Sequence, residues 1–437
     1  MESRPLALRH TPADVLASLA PEPGAFALAV PDPTSPVTLV GCCPIDELRV
    51  DPSAADPLGA IVRFLDAAPA STLPFPFAGG VIACLAYELG MHTVPGLRHA
   101  IGGAPLAILR RYDPLLVYDH HRRTWALVGS HGAAPAWLER LTQPVPTWHG
   151  PLAEHELRAD FDRDAYRAAI ARIHAYLRAG DVYQVNLTQP FTTRLVGPAW
   201  ALYARLAANH PAPYTAYLDL GETQIVANSP ELLLRRRGAQ IETRPIKGTR
   251  PRGSDADHDR TLVAELIANA KERAEHVMIV DLERSDLGRV AEHGSVRVEA
   301  YARVETHPTV HHLVSVVTAR LRPEVGWRDL LEATFPGGSI TGAPKRRAME
   351  IIAELEPTVR GIYTGALGVI DPRGHCEIGL PIRTGIVRDG LLSYHAGGGI
   401  VIDSNADREL DECWLKTAGV RAALAGDGDL LDQCSSG

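Results

Sequence analysis

Short apolar runs separated by proline and glycine fill the first 130 residues. Phe26–Val30, Val37–Val40, Leu115–Tyr118 and Trp125–Val128 are rich in β-forming side chains and bounded by turn formers, so each predicts a strand. In this part only Pro57–Ala67 spaces its apolar residues as a clear amphipathic helix. From Gly132 to about Leu157 the chain turns rich in Ala, Pro, Gly and His, the composition of a connector. Asp164 then predicts a helix N-cap, because Tyr166, Ala169, Ile170, Ile173 and Leu177 follow at helical spacing as far as Gly180. Strand-like Val182–Leu187, Ala216–Leu220 and Gln224–Ala227 come next, then a long helical stretch around Arg260–Val277 and a helical run over Arg346–Leu355. Gly-punctuated strands are predicted near Gly365–Ile370, Ile378–Val387 and Leu391–Ala396. The pattern divides the chain into a β-rich N-terminal subdomain (1–135), a connector (136–158), a larger domain (159–422) and a tail (423–437) of mixed α and β class.

Composition narrows the class. With 437 residues, 46% hydrophobic and 22% charged, the chain can bury one or two large cores. A net charge of −8 and few basic runs argue against a nucleic-acid partner; the densest cationic triplet, Arg235–Arg237, reads as a solvated strand end. The N-terminus has no cationic region leading into an apolar stretch, and the longest apolar run, Phe77–Tyr87, is too short and glycine-rich to span a bilayer. A soluble, cytoplasmic protein with no membrane partner is expected. Six cysteines without Cys-x-x-Cys spacing predict free thiols rather than disulfides or a zinc site.

Chemistry concentrates in four places. The first is Thr243-Arg-Pro-Ile-Lys-Gly-Thr-Arg-Pro-Arg-Gly253, where Lys247 is a potential amine nucleophile among anion-binding groups. Gly248 and Thr249 offer a backbone N–H and a hydroxyl to a carboxylate; taken alone, the same run also fits a basic surface turn. The second is two acidic pairs, Glu272 and Glu275, and Glu409 and Glu412 followed by Lys416, each three apart on a helical pattern. Two such helices could converge on one hard divalent cation, and oxygen-only donors favour Mg²⁺ over zinc; singly, such pairs also fit solvated helix faces. The third is Phe335-Pro-Gly-Gly-Ser-Ile-Thr-Gly-Ala-Pro-Lys345, whose backbone N–H groups and Ser339 and Thr341 hydroxyls could cradle an anion or position a ring. Ala343-Pro344 stands where a phosphate-binding loop needs Lys-Ser/Thr, so a nucleoside triphosphate is not expected. The fourth is Ala396-Gly-Gly-Gly-Ile400, which either lets the backbone approach a ligand or makes a tight turn. His307, His311 and His312 lack a carboxylate to complete a zinc site, and a hydrogen-bonding role is expected of His312.

Taken together, these motifs resemble the chorismate-utilising enzymes. Besides the four regions, the resemblance rests on Ser229-Pro-Glu231, Glu275-His276, Val280–Arg289, Val310-His-His-Leu313 and Ile382-Arg-Thr384, and it covers about 160–420 in consistent order. Within the family, anthranilate synthase component I normally carries alanine where this chain has Lys247. Pro-Ile-Lys-Gly-Thr with Tyr183-Gln-Val-Asn-Leu-Thr-Gln189 looks instead like component I of aminodeoxychorismate synthase. Two departures stand out: Ser285 replaces a usual asparagine, and Leu39–Cys43 lacks the Leu-Leu-acidic/His-Ser run of members that bind tryptophan.

The resemblance implies two large antiparallel sheets packed face to face and ringed by helices, with the N-terminal part woven into the same body. It also implies amination of chorismate to 4-amino-4-deoxychorismate, on the way to p-aminobenzoate and folate. Chorismate's ring carboxylate would meet Mg²⁺ held by Glu275 and Glu412, with Glu272 and Glu409 behind them, together with Gly248 and Thr249. The enolpyruvyl carboxylate would meet Arg383, Tyr363 and the backbone of Gly397 and Gly399. Protonated Glu231 would release the C4 hydroxyl while neutral Lys247 attacks C2, with His312 near the ring. No cysteine sits in a glutaminase-like elbow, so the family implies a separate glutamine amidotransferase subunit as ammonia source. Anthranilate synthase is the near alternative. A non-catalytic chorismate-binding regulatory subunit would be expected to have lost Lys247, Glu231, Glu275 or Glu412, and all four are present.

Overall fold

Successive residues of the apolar runs enter different cores. In the computed structural model, which describes residues 2–67, 73, 80–97, 102–130 and 135–426, Phe26, Leu28 and Val30 face a layer shared with Ile82, Cys84, Leu367 and Val369. Ala25, Ala27 and Leu116 face a second layer with Leu16, Tyr166 and Leu202. Strands buried on both faces need apolar residues at consecutive positions, which is why these runs are continuous rather than alternating.

The strands form two antiparallel sheets, of twelve and ten strands among the described residues. The larger runs from Glu2–Leu6 at one edge through Phe26–Val30, Tyr214–Asp219, Thr384–Arg388, Leu391–Ile400 and Gln184–Arg194 to Gly342–Ala343 at the other. The smaller runs from Ile246–Pro251 through Val310–Arg320, Gln240–Arg244, Leu232–Arg237 and Cys376–Gly379 to Val81–Leu85 and Asp46–Val50. The first core lies between the sheets. Helices Pro12–Leu19, Arg163–Ala179, Ala199–Asn209 and Ala406–Lys416 cover the outer face of the larger sheet. Helices Pro57–Asp66, Ala270–Gly288 and Trp327–Thr334 cover that of the smaller. The face-to-face two-sheet architecture expected from the resemblance is present, and strands from both the N-terminal and the C-terminal parts contribute to each sheet.

Several local expectations are corrected. The helix starting near residue 164 is capped by Asp162, whose carboxylate accepts from Ala165 N at 2.7 Å; Asp164 lies inside the first turn. Gly180 closes it at φ +79°, a left-handed conformation that glycine adopts without strain. The single helix expected around Arg260–Val277 is two, Ala256–Ala268 and Ala270–Gly288, because Asn269 is extended and caps the second through Glu272 N. The strand expected over Ile378–Val387 is also two, one in each sheet, and the chain crosses between them through Pro381, Ile382 and Arg383. The glycine run 397–399 makes no turn: it continues the strand Leu391–Ile400, paired with Gln184–Arg194. Arg235 is not solvated but 7% exposed, and it bonds both oxygens of Glu377 at 2.8 Å. The five cysteines among the described residues are free, and no described helix is long and apolar enough to cross a membrane. Most of the expected tail 423–437 and part of the Phe77–Tyr87 run lie outside the described residues.

Candidate active site

Lys247 owes its position to a bulge. Ile246 pairs with Val314 and Thr249 with His312, so Lys247 and Gly248 together stand opposite the single residue Leu313, one residue more than the ladder needs. A bulge breaks the alternation of the strand and re-aims a side chain, and Gly248 at φ +83° supplies the left-handed residue it requires. Space there is tight: a Cβ on Gly248 would lie 2.9 Å from Leu266 and 3.2 Å from Glu272 Oε2. The Lys247 pKa is lowered by burial, with help from the charge of Lys416, while Glu275, Glu231 and Glu412 oppose the shift.

Glu231 precedes the strand Leu232–Arg237 and is 4% exposed. Burial pushes its pKa up to about 7, against the pull of Ser339, of Lys247, of the Ile246 N–H and of Arg383. The Ser339 hydroxyl donates to Glu231 Oε1 at 2.6 Å. The N–H of Ile246 also bonds the Glu231 carboxylate, so acid and amine are tied together through one residue of backbone. His312 is 1% exposed, bonded through Nδ1 to Thr249 Oγ1 at 2.9 Å, and burial lowers its pKa to about 3, which keeps the ring neutral.

The four glutamates come from two helices. Glu272 and Glu275 lie on Ala270–Gly288, and Glu409 and Glu412 on Ala406–Lys416. Lys271 joins them, 3.4 Å from Glu409 and 3.8 Å from Glu275. Lys416 donates to Glu412 Oε1 at 2.7 Å and to the Gly397 carbonyl at 2.6 Å. Arg250 Nη1 donates to Glu272 Oε1 at 3.0 Å, whereas Glu272 Oε2 is buried and has no hydrogen-bond partner among the described residues. The Glu275 pKa is raised by burial and by the nearby charges of Glu409 and Glu412. Partial desolvation opposes ionisation of Glu412 too, although its side chain is 52% exposed, but Lys416 outweighs it and the pKa is lowered. Among the described residues no three acidic, histidine or cysteine side chains converge closely enough to enclose a metal ion. Mg²⁺ does not need such a cage: it keeps several waters and takes one or two carboxylates. Mutually repelling carboxylates, of which Glu409 is buried and Glu272 and Glu275 half-buried, with an orphaned oxygen on Glu272, fit that chemistry.

The other predicted residues divide. Gly397 and Gly399 lie edge-on to Gln184–Arg194, where a Cβ would come within 2.1 Å of Leu187 O and 2.8 Å of the Gln184 amide respectively. Gly398 between them faces the other way, with Glu409, Lys416 and Glu412 3.4–3.7 Å from its Cβ position. Arg383 sits at the sheet crossing with φ +51°, a left-handed conformation that is costly for arginine. Tyr363 is buried and stacked on His395 at 5.0 Å, on the glycine strand. Thr341 is fully buried, and its hydroxyl donates to the Gly337 and Gly338 carbonyls, so it closes its own loop rather than facing a ligand. Ser339 is engaged by Glu231 and not by open space. Neither of two surface cavities, of about 390 and 320 Å³, is lined by any of these residues.

Supporting pairs escaped the sequence. Arg360, 1% exposed, bonds both oxygens of Glu356 and donates to the carbonyls of Ile340 and Asn186. Glu356 in turn accepts from Thr188 N and Oγ1 at 2.9 Å, opposite Gly397. Thr243 bonds Glu283, and Lys345 bonds Asp286, each at 2.6 Å. A lone arginine or glutamate carries no periodic or spacing signal, so Arg360 and Glu356 left no mark, whereas Thr188, Thr243, Glu283, Asp286 and Lys345 lay within the quoted motifs without their partners being legible.

A two-sheet fold that walls a half-buried amine and a buried acid against two carboxylate-bearing helices defines an enzyme for small carboxylated substrates. The model of the chorismate binding enzyme family matches residues 29–422, and the chain belongs to that family. It is 42% identical over 361 residues to anthranilate synthase component 1 of Thermus thermophilus, covering 80% of this chain and 78% of that protein. It is equally 42% identical over 374 residues to aminodeoxychorismate synthase component 1 of Klebsiella aerogenes, covering 84% and 82%. Among solved structures, anthranilate synthase component I from Streptococcus pneumoniae superposes with a TM-score of 0.77 at 29% identity, covering 88% of this chain and 92% of that one. The menaquinone-specific isochorismate synthase MenF of Escherichia coli shares the fold, with a TM-score of 0.76 at 19% identity over 97% and 94%. The protein is a chorismate-utilising enzyme.

Proposed function

We propose that the chain aminates chorismate at C4, forming 4-amino-4-deoxychorismate through a covalent adduct on Lys247. The observation that carries this reading is a half-buried lysine aimed by a bulge into the same site as a buried carboxyl whose pKa is raised to about 7. In that environment the neutral amine and the protonated acid, the forms the chemistry needs, are both favoured.

Lys247 Nζ attacks C2, both ring double bonds shift (C1=C2 to C1=C6 and C5=C6 to C4=C5), and the C4–O bond breaks as Glu231 delivers its proton to the departing hydroxyl, releasing water. The adduct nitrogen remains an ammonium. Ammonia then adds at C4, the C2–N bond breaks, Lys247 leaves as a neutral amine, and the surplus proton on the new nitrogen returns to Glu231. Gly248, Thr249 and the Arg383 side chain are assigned to the substrate carboxylates, with Tyr363 and the Gly397 and Gly399 backbone at the enolpyruvyl end. Glu275 and Glu412 would hold Mg²⁺, with Glu272 and Glu409 behind them, and the ion would neutralise the ring carboxylate. A separate glutamine amidotransferase subunit is proposed as the ammonia source.

Anthranilate synthase is the second reading, favoured by the 42% identity to the Thermus thermophilus enzyme. Overall identity does not separate the two, and Lys247 does, since the anthranilate branch normally has alanine there. Mass spectrometry after incubation with chorismate, Mg²⁺ and ammonium at alkaline pH decides between them. Aminodeoxychorismate without pyruvate supports the proposal, anthranilate with pyruvate the alternative. A Lys247→Ala protein that aminates at the wild-type rate would remove the covalent step.

A further inference from the structure

Ser339 was expected to contact a ligand, yet its hydroxyl is spent inside the protein. It is 5% exposed and lies 2.6 Å from Glu231 Oε1, on a carboxyl that is itself 4% exposed. The loop around it is built to keep it there. Thr341 closes the loop on the carbonyls of Gly337 and Gly338, and Arg360 fixes the Ile340 carbonyl at 2.9 Å. Leu282 packs so closely on Gly338 that a Cβ there would lie 2.6 Å away. A donor preorganised in this way needs no reorganisation when charge develops on the acid.

We propose that Ser339 is a positioning residue for the general acid: by donating to Oε1 it fixes the Glu231 carboxyl and leaves Oε2 to carry the transferred proton. The inference rests on the reading of Glu231 as that acid. When Glu231 releases its proton to the C4 hydroxyl, the new carboxylate keeps the Ser339 hydrogen bond, now charge-assisted and stronger. The same bond holds Glu231 ready to take the proton back from the aminated product. The other groups facing Glu231 are Lys247 on the strand Ile246–Pro251 and Arg383 at the sheet crossing, with Glu283 on the helix Ala270–Gly288 adding a like charge when ionised. None of these charges replaces the serine, which is the side-chain donor on Oε1; the Ile246 N–H that also bonds the carboxylate is main chain and stays in place in Ser339→Ala.

The test is an infrared titration of the protonated carboxyl band that is present in wild type and missing in Glu231→Gln, combined with kinetics on chorismate and ammonium. In Ser339→Ala the midpoint should rise by about one pH unit, the loss of one hydrogen bond to a charged group. Turnover should fall about tenfold with KM within about twofold of wild type. Ser339→Thr, which keeps the hydroxyl, should restore both. An unchanged midpoint and turnover in Ser339→Ala, with Glu231→Gln inactive, would overturn the positioning role alone. A fully active Glu231→Gln would instead overturn the reading of Glu231 as the acid.

Discussion

Replacing Glu231 by glutamine should stabilise the protein at alkaline pH and leave it unchanged in acid. The carboxyl is 4% exposed, and burial raises its pKa from an ordinary 4.5 to about 7. Between those values the folded chain binds a proton that the unfolded chain has released, so stability falls as pH rises through this window. Below 4.5 both states are protonated and nothing is lost; above about 7 the whole penalty is present. At about 1.4 kcal/mol per pH unit the penalty amounts to about 3 kcal/mol. Glutamine has the same shape, accepts the Ser339 hydrogen bond and never ionises, so Glu231→Gln escapes it. For a chain of 437 residues, an unfolding entropy of about 0.9 kcal/mol per kelvin converts this to about 3–4 °C in Tm. Parallel thermal melts of the two proteins from pH 5 to pH 8.5 read the difference directly. The gap should open with rising pH, in a variant that is inactive throughout the range. A gap that stays constant across the range would refute the raised pKa, and with it the protonated acid on which the chemistry depends.

Gly397→Ala and Gly398→Ala should part company despite being neighbours. The first puts a Cβ 2.1 Å from Leu187 O and should lower Tm, whereas the second has 3.4 Å to its nearest neighbour and should fold normally while crowding Glu409 and Glu412 and reducing activity. Melts and assays of both proteins check the contrast. Arg360→Met leaves Glu356 and two main-chain carbonyls without their partner. Breaking a buried pair in this way costs about 3–5 kcal/mol, readable as a Tm drop of about 3–5 °C, and a drop under about 1 °C would refute the clamp. On our reading Glu275→Gln should weaken Mg²⁺ binding about tenfold or more by calorimetry, and unchanged affinity would remove Glu275 from the metal site.

What the sequence determined by itself was local or colinear. Apolar runs and turn formers placed most strands, since β-forming residues between glycines and prolines have few other options. The motif order of 229–416 carried the family and nearly every candidate residue, because a reaction fixes residue types and their spacing along the chain. Where secondary structure was misread, the tertiary setting had overruled the local pattern. Asn269 interrupts a helix to cap the next, Ile378–Val387 is divided because its halves serve different sheets, and the glycine run stays extended because Gln184–Arg194 pairs with it. The roles of Ser339 and Thr341 changed for a related reason: a hydroxyl near a ligand site reads the same in sequence whether it faces the ligand or a buried carboxyl. Only the folded chain brings Lys247, Glu231 and the two acidic helices together, the helix of Glu409 and Glu412 lying more than a hundred residues from the rest. The shifted pKa values exist only there as well, because burial and neighbouring charge are properties of the assembled site and not of any segment.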